Sequence, residues 1–78
     1  MSWKDEIISI MSENRGIEMS LSDIYSQIEG SRIVTSYHRE PWMPGGQPRY
    51  QCWVRRYLTD LVDEERINRS RRGVYILP

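Results

Sequence analysis

The chain is poor in the residues that build metal centres and disulfides, with one cysteine, Cys52, and one histidine, His38, in 78 residues. A single thiol cannot close an internal disulfide, and no Cys/His spacing matches a zinc site, so a reducing compartment and no structural metal are expected. Long hydrophobic runs are also missing: the longest apolar stretches fall far short of the roughly 20 residues that span a bilayer. The first residues, Ser2, Trp3 and Lys4, lack the basic and apolar character of a secretory signal. A soluble, cytoplasmic chain without a cofactor is the expectation.

Signs of catalysis are equally scarce. His38 has no paired nucleophile or metal-ligand cluster, and the acidic-x-Lys arrangement of a metal-dependent nuclease core is absent from the sequence. A binding module is therefore expected rather than an enzyme. Phenylalanine is absent, while three Trp and five Tyr are present, so large amphipathic rings must do much of the packing. The length suits one domain, residues 1–78, with a small core and mostly wet surface.

The formal net charge is zero, but it is unevenly distributed. Residues 1–46 carry four basic and seven acidic side chains, whereas residues 47–78 carry seven arginines and four acids. Those acids, Asp60, Asp63, Glu64 and Glu65, lie in one short segment, which leaves the rest of the second part strongly basic.

Periodicity predicts three helices. The first runs from about Trp3 to Asn14, with Trp3, Ile7, Ile8 and Met11 on one face, Ser2 and Asp5 as a capping box and Gly16 as the C-terminal cap. Ile17 to Met19 suits a short strand. The second helix spans about Leu21 to Glu29, with Ser20 as N-cap, Asp23 three residues on, and a stripe of Leu21, Ile24, Tyr25 and Ile28. Gly30 stops it.

Residues 31–46 form a long aperiodic connection containing Pro41, Pro44, Gly45 and Gly46, within which Ile33 to Tyr37 can pair briefly as a strand. Pro48 then has the place of a first-turn proline, and Tyr50, Val54, Tyr57, Leu58 and Leu61 repeat as a third helix reaching the acidic segment. The chain ends as a hairpin: Arg66 to Arg69, a turn over Ser70 to Gly73, and a return over Val74 to Leu77. Ile67, Tyr75 and Leu77 share its inward face. Helix, strand, helix, helix, hairpin is the order of a winged helix-turn-helix, an α+β fold with a C-terminal β-hairpin wing.

That topology directs attention to the third helix and the wing. A wheel at 100° per residue places Cys52, Arg56, Thr59 and Asp63 opposite the apolar stripe, with Arg49 and Arg55 at the margins and Gln51 nearest the core edge. In helix-turn-helix domains the first turns of this helix reach base edges in the major groove. Arg49, Gln51, Cys52, Arg55, Arg56 and Thr59 supply suitable chemistry, since Arg grips guanine and Gln grips adenine bidentately, discriminating by about 1–3 kcal/mol. Arg69, Ser70, Arg71 and Arg72 make a cationic knob at the wing, suited to phosphates or to a minor groove.

The long loop has two readings. Tyr37, His38, Arg39 and Trp42 can form an aromatic and polar pocket that senses a modified base or a ligand. Alternatively the loop is a lid, with Trp42 buried and Tyr37 tucked beneath it. Trp53 can pack or stack on the DNA backbone, and Trp3 is simplest as a core residue.

A resemblance joins these features. Trp3, then Leu21-Ser22-Asp23-Ile24-Tyr25, then Gln47-Pro48-Arg49-Tyr50 leading to Val54-Arg55-Arg56-Tyr57-Leu58, and finally Arg72-Gly73-Val74-Tyr75 resembles the winged helices attached to bacterial restriction endonucleases. It is similar both to the Mrr N-terminal type and to the C-terminal winged helix of methyladenine-dependent enzymes of the DpnI type. The resemblance spans nearly the whole chain except the loop at 31–46. It implies a target-reading module for double-stranded DNA, extending to N6-methyladenine, with Arg49, Cys52, Arg55, Arg56 and Arg69 to Arg72 on the reading side. An attached nuclease domain is the implied partner. A stand-alone transcriptional regulator is an alternative, although no spare apolar helix offers a dimer surface and a monomer is expected. A protein-interaction winged helix is the other, favoured by neutral net charge.

Overall fold

A computed structural model describes residues 2–78 of the chain. It is an α+β fold with four helices and a three-stranded antiparallel sheet, in the order α1 (Trp3–Ser12), β1 (Met19–Ser20), α2 (Leu21–Glu29), α3 (Ser36–Arg39), α4 (Arg49–Asp63), β2 (Asn68–Arg71) and β3 (Val74–Ile76). The architecture is compatible with a small winged-helix-like domain.

Helix α1 starts where the Ser2 hydroxyl accepts the Asp5 N–H at 3.1 Å, one half of the expected capping box. It stops at Ser12, and the chain makes further turns before Gly16, whose φ of +80° redirects it. Gly16 is therefore not the helix cap, as its spacing suggests, but the left-handed residue of the following turn. Ile10 joins Trp3, Ile7 and Met11 in the core, and Ile8 packs at its edge. The strand after it is displaced too, to Met19–Ser20, and Ile17 is exposed.

The limits of α2 are those the sequence predicts. Ser20 and Asp23 exchange hydrogen bonds at 3.1 and 3.2 Å, so two of the four orphan N–H groups at this end are satisfied. Ile24 and Ile28 are fully enclosed, while Leu21 and Tyr25 lie at the edge of the core.

Ile33 to Tyr37 forms no strand. Val34 is buried, the chain turns around it, and a fourth helix, α3, begins at Ser36. This short helix is anchored at both ends. Thr35 donates its N–H to His38 Nδ1 at 3.1 Å, and the Arg39 guanidinium donates to the Glu29 carbonyl at 2.8 Å, a cation placed on the last turn of α2.

Pro48 is the N-cap of α4, not its first helical residue; its ψ of 144° is still extended. Tyr50, Val54, Leu58 and Leu61 enter the core. The helix ends in a Schellman motif: the Arg66 N–H bonds the Leu61 carbonyl and the Glu65 N–H bonds the Val62 carbonyl, both at 3.0 Å. The left-handed position belongs to Glu65, at φ 60°. Acids at this end oppose the macrodipole, but Glu64 pairs with Lys4 of α1 and lies 3.8 Å from Arg66.

The first strand of the hairpin lies two residues beyond its expected place, whereas the return strand begins at Val74 as predicted. Strand β2 covers Asn68–Arg71, and the connection is Arg72–Gly73, with Gly73 at φ +75°. Ser70, expected in the turn, is instead an extra residue in β2: Arg69 faces Tyr75 and Arg71 faces Val74, leaving Ser70 as a bulge. The strand order is β1-β3-β2, so β3 is central. Ile67, Tyr75 and Leu77 are buried as expected, and the core is closed by α1, α2 and α4 on one side and these residues on the other.

Candidate functional site

Helix α4 presents three different surroundings on three sides of its exposed face. On the hairpin side lies a groove of about 610 Å³, lined by Tyr25 of α2, Gln47, Arg55 and Thr59 of the α4 region, and Arg69 and Arg72 of the hairpin. No acidic side chain lines it. Among the described residues, neither Arg55, Arg69 nor Arg72 forms an ion pair. Three unneutralised guanidiniums thus face one opening. Burial pushes the Tyr25 phenol above its ordinary value of 10.0, with Arg55 opposing the shift.

The expected cationic knob is divided by the structure. Arg69 and Arg72 line the groove, but Arg71 donates to the Glu18 carboxylate at 2.8 Å, and Ser70 is an exposed bulge residue. Thr59 lines the groove while its hydroxyl donates to the Arg55 carbonyl one turn back at 3.1 Å, which leaves its lone pairs and methyl for a ligand.

The middle of the face holds Cys52 and Arg56. They share a smaller cavity of about 220 Å³ with Trp53 and Tyr57. Arg56 is exposed and, among the described residues, without an acidic partner. Gln51 is half-buried, its amide 3.4 Å from the Tyr50 hydroxyl.

The far side is aromatic. His38 meets Trp3 edge-on at 5.0 Å and Trp53 at 5.2 Å, and Tyr57 stacks on Trp3 at 6.4 Å. This cluster seats α3 against α1 and α4, so Trp53 packs within the protein. His38 is engaged as well: its Nδ1 accepts the Thr35 N–H, which places the neutral ring's proton on Nε2.

Arg49 does not project from the helix. Its guanidinium lies over the Tyr37 ring at 4.3 Å and over the Trp42 ring at 4.7 Å, donates to the Tyr37 carbonyl at 3.0 Å, and lies 3.8 Å from Glu40. Only 16% of this side chain is exposed, and its Nε is buried without a partner. An unpartnered buried donor costs about 1–3 kcal/mol. Contact with two ring faces, each worth about 0.5–2 kcal/mol, offsets that cost.

The loop is not the lid that a buried Trp42 would make. Tyr37 is 49% exposed, Trp42 58% and Met43 66%. Its base is closed by the Arg49 N–H bonding the Glu40 carbonyl at 3.1 Å and by a bridge between Pro41 and Pro48. Its tip is a turn over Met43–Gly46, with Pro44 second, Gly45 third at φ +81°, and the Gly46 N–H on the Met43 carbonyl at 3.0 Å. Those are the residues a type II turn requires.

The sequence brings forward Arg55, Arg56, Thr59, Arg69 and Arg72, and the fold gathers them around α4. Tyr25 and Gln47 are groove residues that sequence reasoning missed. Tyr25 was readable only as part of an apolar stripe, and Gln47 only as the residue before a proline. Among the described residues no cluster of metal-ligating side chains occurs, and no helix is long and apolar enough to cross a membrane. No family model, curated protein or solved structure matches this chain.

Proposed function

We propose that this is a winged-helix domain that binds double-stranded DNA, with α4 as the recognition helix in the major groove and the β2–β3 hairpin as the wing. The observation that carries the reading is the groove between them, where Arg55, Arg69 and Arg72 converge with no acid among the lining residues. Phosphates supply the charge such a slot needs, and arginines that neutralise them release condensed counterions. Cys52 and Arg56, in the middle of the exposed face, are then left for base edges.

The resemblance to winged helices of restriction endonucleases extends this proposal to a target reader, one that recognises N6-methyladenine or another modified base and delivers an attached or separate nuclease domain. The chain itself would bind rather than cut. The alternatives of a stand-alone regulator or a protein-interaction winged helix make different predictions about salt and modification.

Fluorescence anisotropy with labelled duplexes tests both parts. Affinity should fall linearly on a log–log plot against salt, by about 0.9 per phosphate neutralised. Three otherwise identical duplexes, unmodified, N6-methyladenine and 5-methylcytosine, then separate simple binding from modification reading. Equal affinity across the three removes the modified-base proposal, and no binding to mixed duplexes at low salt removes DNA binding altogether.

A further inference from the structure

The Met43–Gly46 turn exposes two large apolar side chains, Trp42 and Met43, next to the first turn of α4. Exposed apolar residues are common on protein surfaces, and one alone needs no explanation. Here, though, the exposure is braced. The loop base is closed by the Glu40 carbonyl and the Pro41–Pro48 bridge, the tip has the Pro-Gly turn chemistry that restricts the backbone, and the Arg49 guanidinium fixes Trp42 against Tyr37. The Tyr37 and Trp42 rings stand at 88° with centroids 6.3 Å apart, and Arg49 covers a face of each. Arg49 also carries a buried unpartnered Nε. A cation has been withdrawn from the recognition face to hold an indole outward.

We infer that Trp42 and Met43 form a rigid wedge that enters between adjacent base pairs of the duplex bound by α4. The inference rests on the DNA-binding reading above. Position supports it: the Arg49–Glu40 backbone hydrogen bond and the Pro41–Pro48 bridge hold the loop beside the first turn of α4.

The chemistry also favours a base step over a protein partner. Stable protein interfaces bury about 800 Å² per partner, far more than two side chains on a narrow turn present. Insertion against a base, by contrast, needs only one or two side chains, and an indole such as that of Trp42 stacks on the π-face of any base. Residues 42–47 are uncharged, and the nearest ions, Arg49 and Glu40, face each other. The tip therefore adds affinity without adding a phosphate contact, which separates its effect from that of the wing.

The experiment uses the whole chain and duplexes carrying 2-aminopurine at successive positions through the bound site. Wild-type protein should brighten the probe at one step, where stacking is lost. Trp42→Ala with Met43→Ala should abolish that signal even at saturating protein, lower affinity roughly 5- to 100-fold on the scale of base–aromatic stacking, and leave the salt slope no shallower, since an Arg49 released from Trp42 can only add a phosphate contact. Arg69→Ala with Arg72→Ala should do the reverse, lowering the slope and keeping the bright step at saturation. Trp42 also stacks on the Arg49 guanidinium, so the double variant should unfold cooperatively at a slightly lower temperature. Met43→Ala alone keeps that contact, should unfold like wild type and should still weaken the bright step. The wedge is overturned if the variant binds like wild type, if affinity falls with no step brightened by either protein, or if the salt slope falls with it. If wild-type protein binds no duplex at low salt, the DNA-binding reading fails and the wedge fails with it.

Discussion

Arg71 and Glu18 form a 2.8 Å ion pair that joins β2 to the segment before β1, so one of the hairpin's three arginines is already neutralised within the protein. Removing the partner should release it. Glu18→Gln is expected to steepen the salt dependence of duplex binding by up to about 0.9, the increment of one phosphate contact. Arg71→Ala should change the slope less than Arg69→Ala or Arg72→Ala does. Titrations at four or five salt concentrations give these slopes directly, and a larger effect of Arg71→Ala would contradict the assignment of Arg71 to Glu18.

Glu65 occupies the left-handed position of the α4 Schellman motif at φ 60°, where an L-residue pays about 1–2 kcal/mol. Glycine removes that cost but loses more entropy on folding. Glu65→Gly should therefore stabilise the domain by a net of about 0.5–1 kcal/mol, read as a higher urea midpoint with an unchanged m-value. A lower midpoint would mean that the Glu65 carboxylate stabilises the fold by more than its backbone costs.

The Lys4–Glu64 pair should leave a pH signature. The hydrogen bond from Lys4 holds the Glu64 carboxyl below its ordinary 4.5, and the same bond holds the Lys4 ammonium above its ordinary 10.5. A depressed acid contributes stability above pH 4.5 that is lost as pH falls through its folded value. A raised base contributes stability below pH 10.5 that is lost as pH rises through its folded value. The difference in unfolding midpoint between wild type and Lys4→Met should thus be flat from pH 5 to 10 and shrink at both ends. Because the pair is partly exposed, the whole effect should also diminish in high salt.

Leu58 is fully enclosed between the helices and the sheet, and replacing it should show how much one core position contributes. Leu58→Ala should cost about 2–5 kcal/mol, the range for such truncations. In so small a domain that is a large share of the total stability, and loss of cooperative unfolding at 37 °C is the expected outcome in circular dichroism.

What could be read from the sequence was whatever depends on residues close together in the chain. Ser20 and Asp23 fix the start of α2 by their own reciprocal bonds, and the helix was legible to the residue. The hairpin was legible as a hairpin but not in its register. The Schellman exit through Glu65 and Arg66 consumes residues that alternation alone would assign to the strand, and β2 begins two positions later. Four-residue α3 is too short for any period to show, and its seat against Trp3 and Trp53 is a tertiary fact.

The candidate site was legible by residue type and less so by availability. Arg49 and Arg72 look alike in sequence, yet one is folded over two rings and the other faces an open groove. Partners from distant segments decide that difference: Tyr37 and Trp42 for Arg49, Glu18 for Arg71.

The Leu21 N–H donates to the Gly73 carbonyl at 3.0 Å, and Ser20, the cap of α2, is at the same time the residue of β1 paired with Val74. The hairpin turn and the first turn of α2 are therefore fastened to each other, and the hairpin cannot swing without dragging the helix that supports α4. The width of the arginine groove is set before anything enters it. A ligand bridging α4 and the hairpin would meet a backbone frame already fixed, and only the exposed side chains of Arg55, Arg69 and Arg72 would have to be ordered around it.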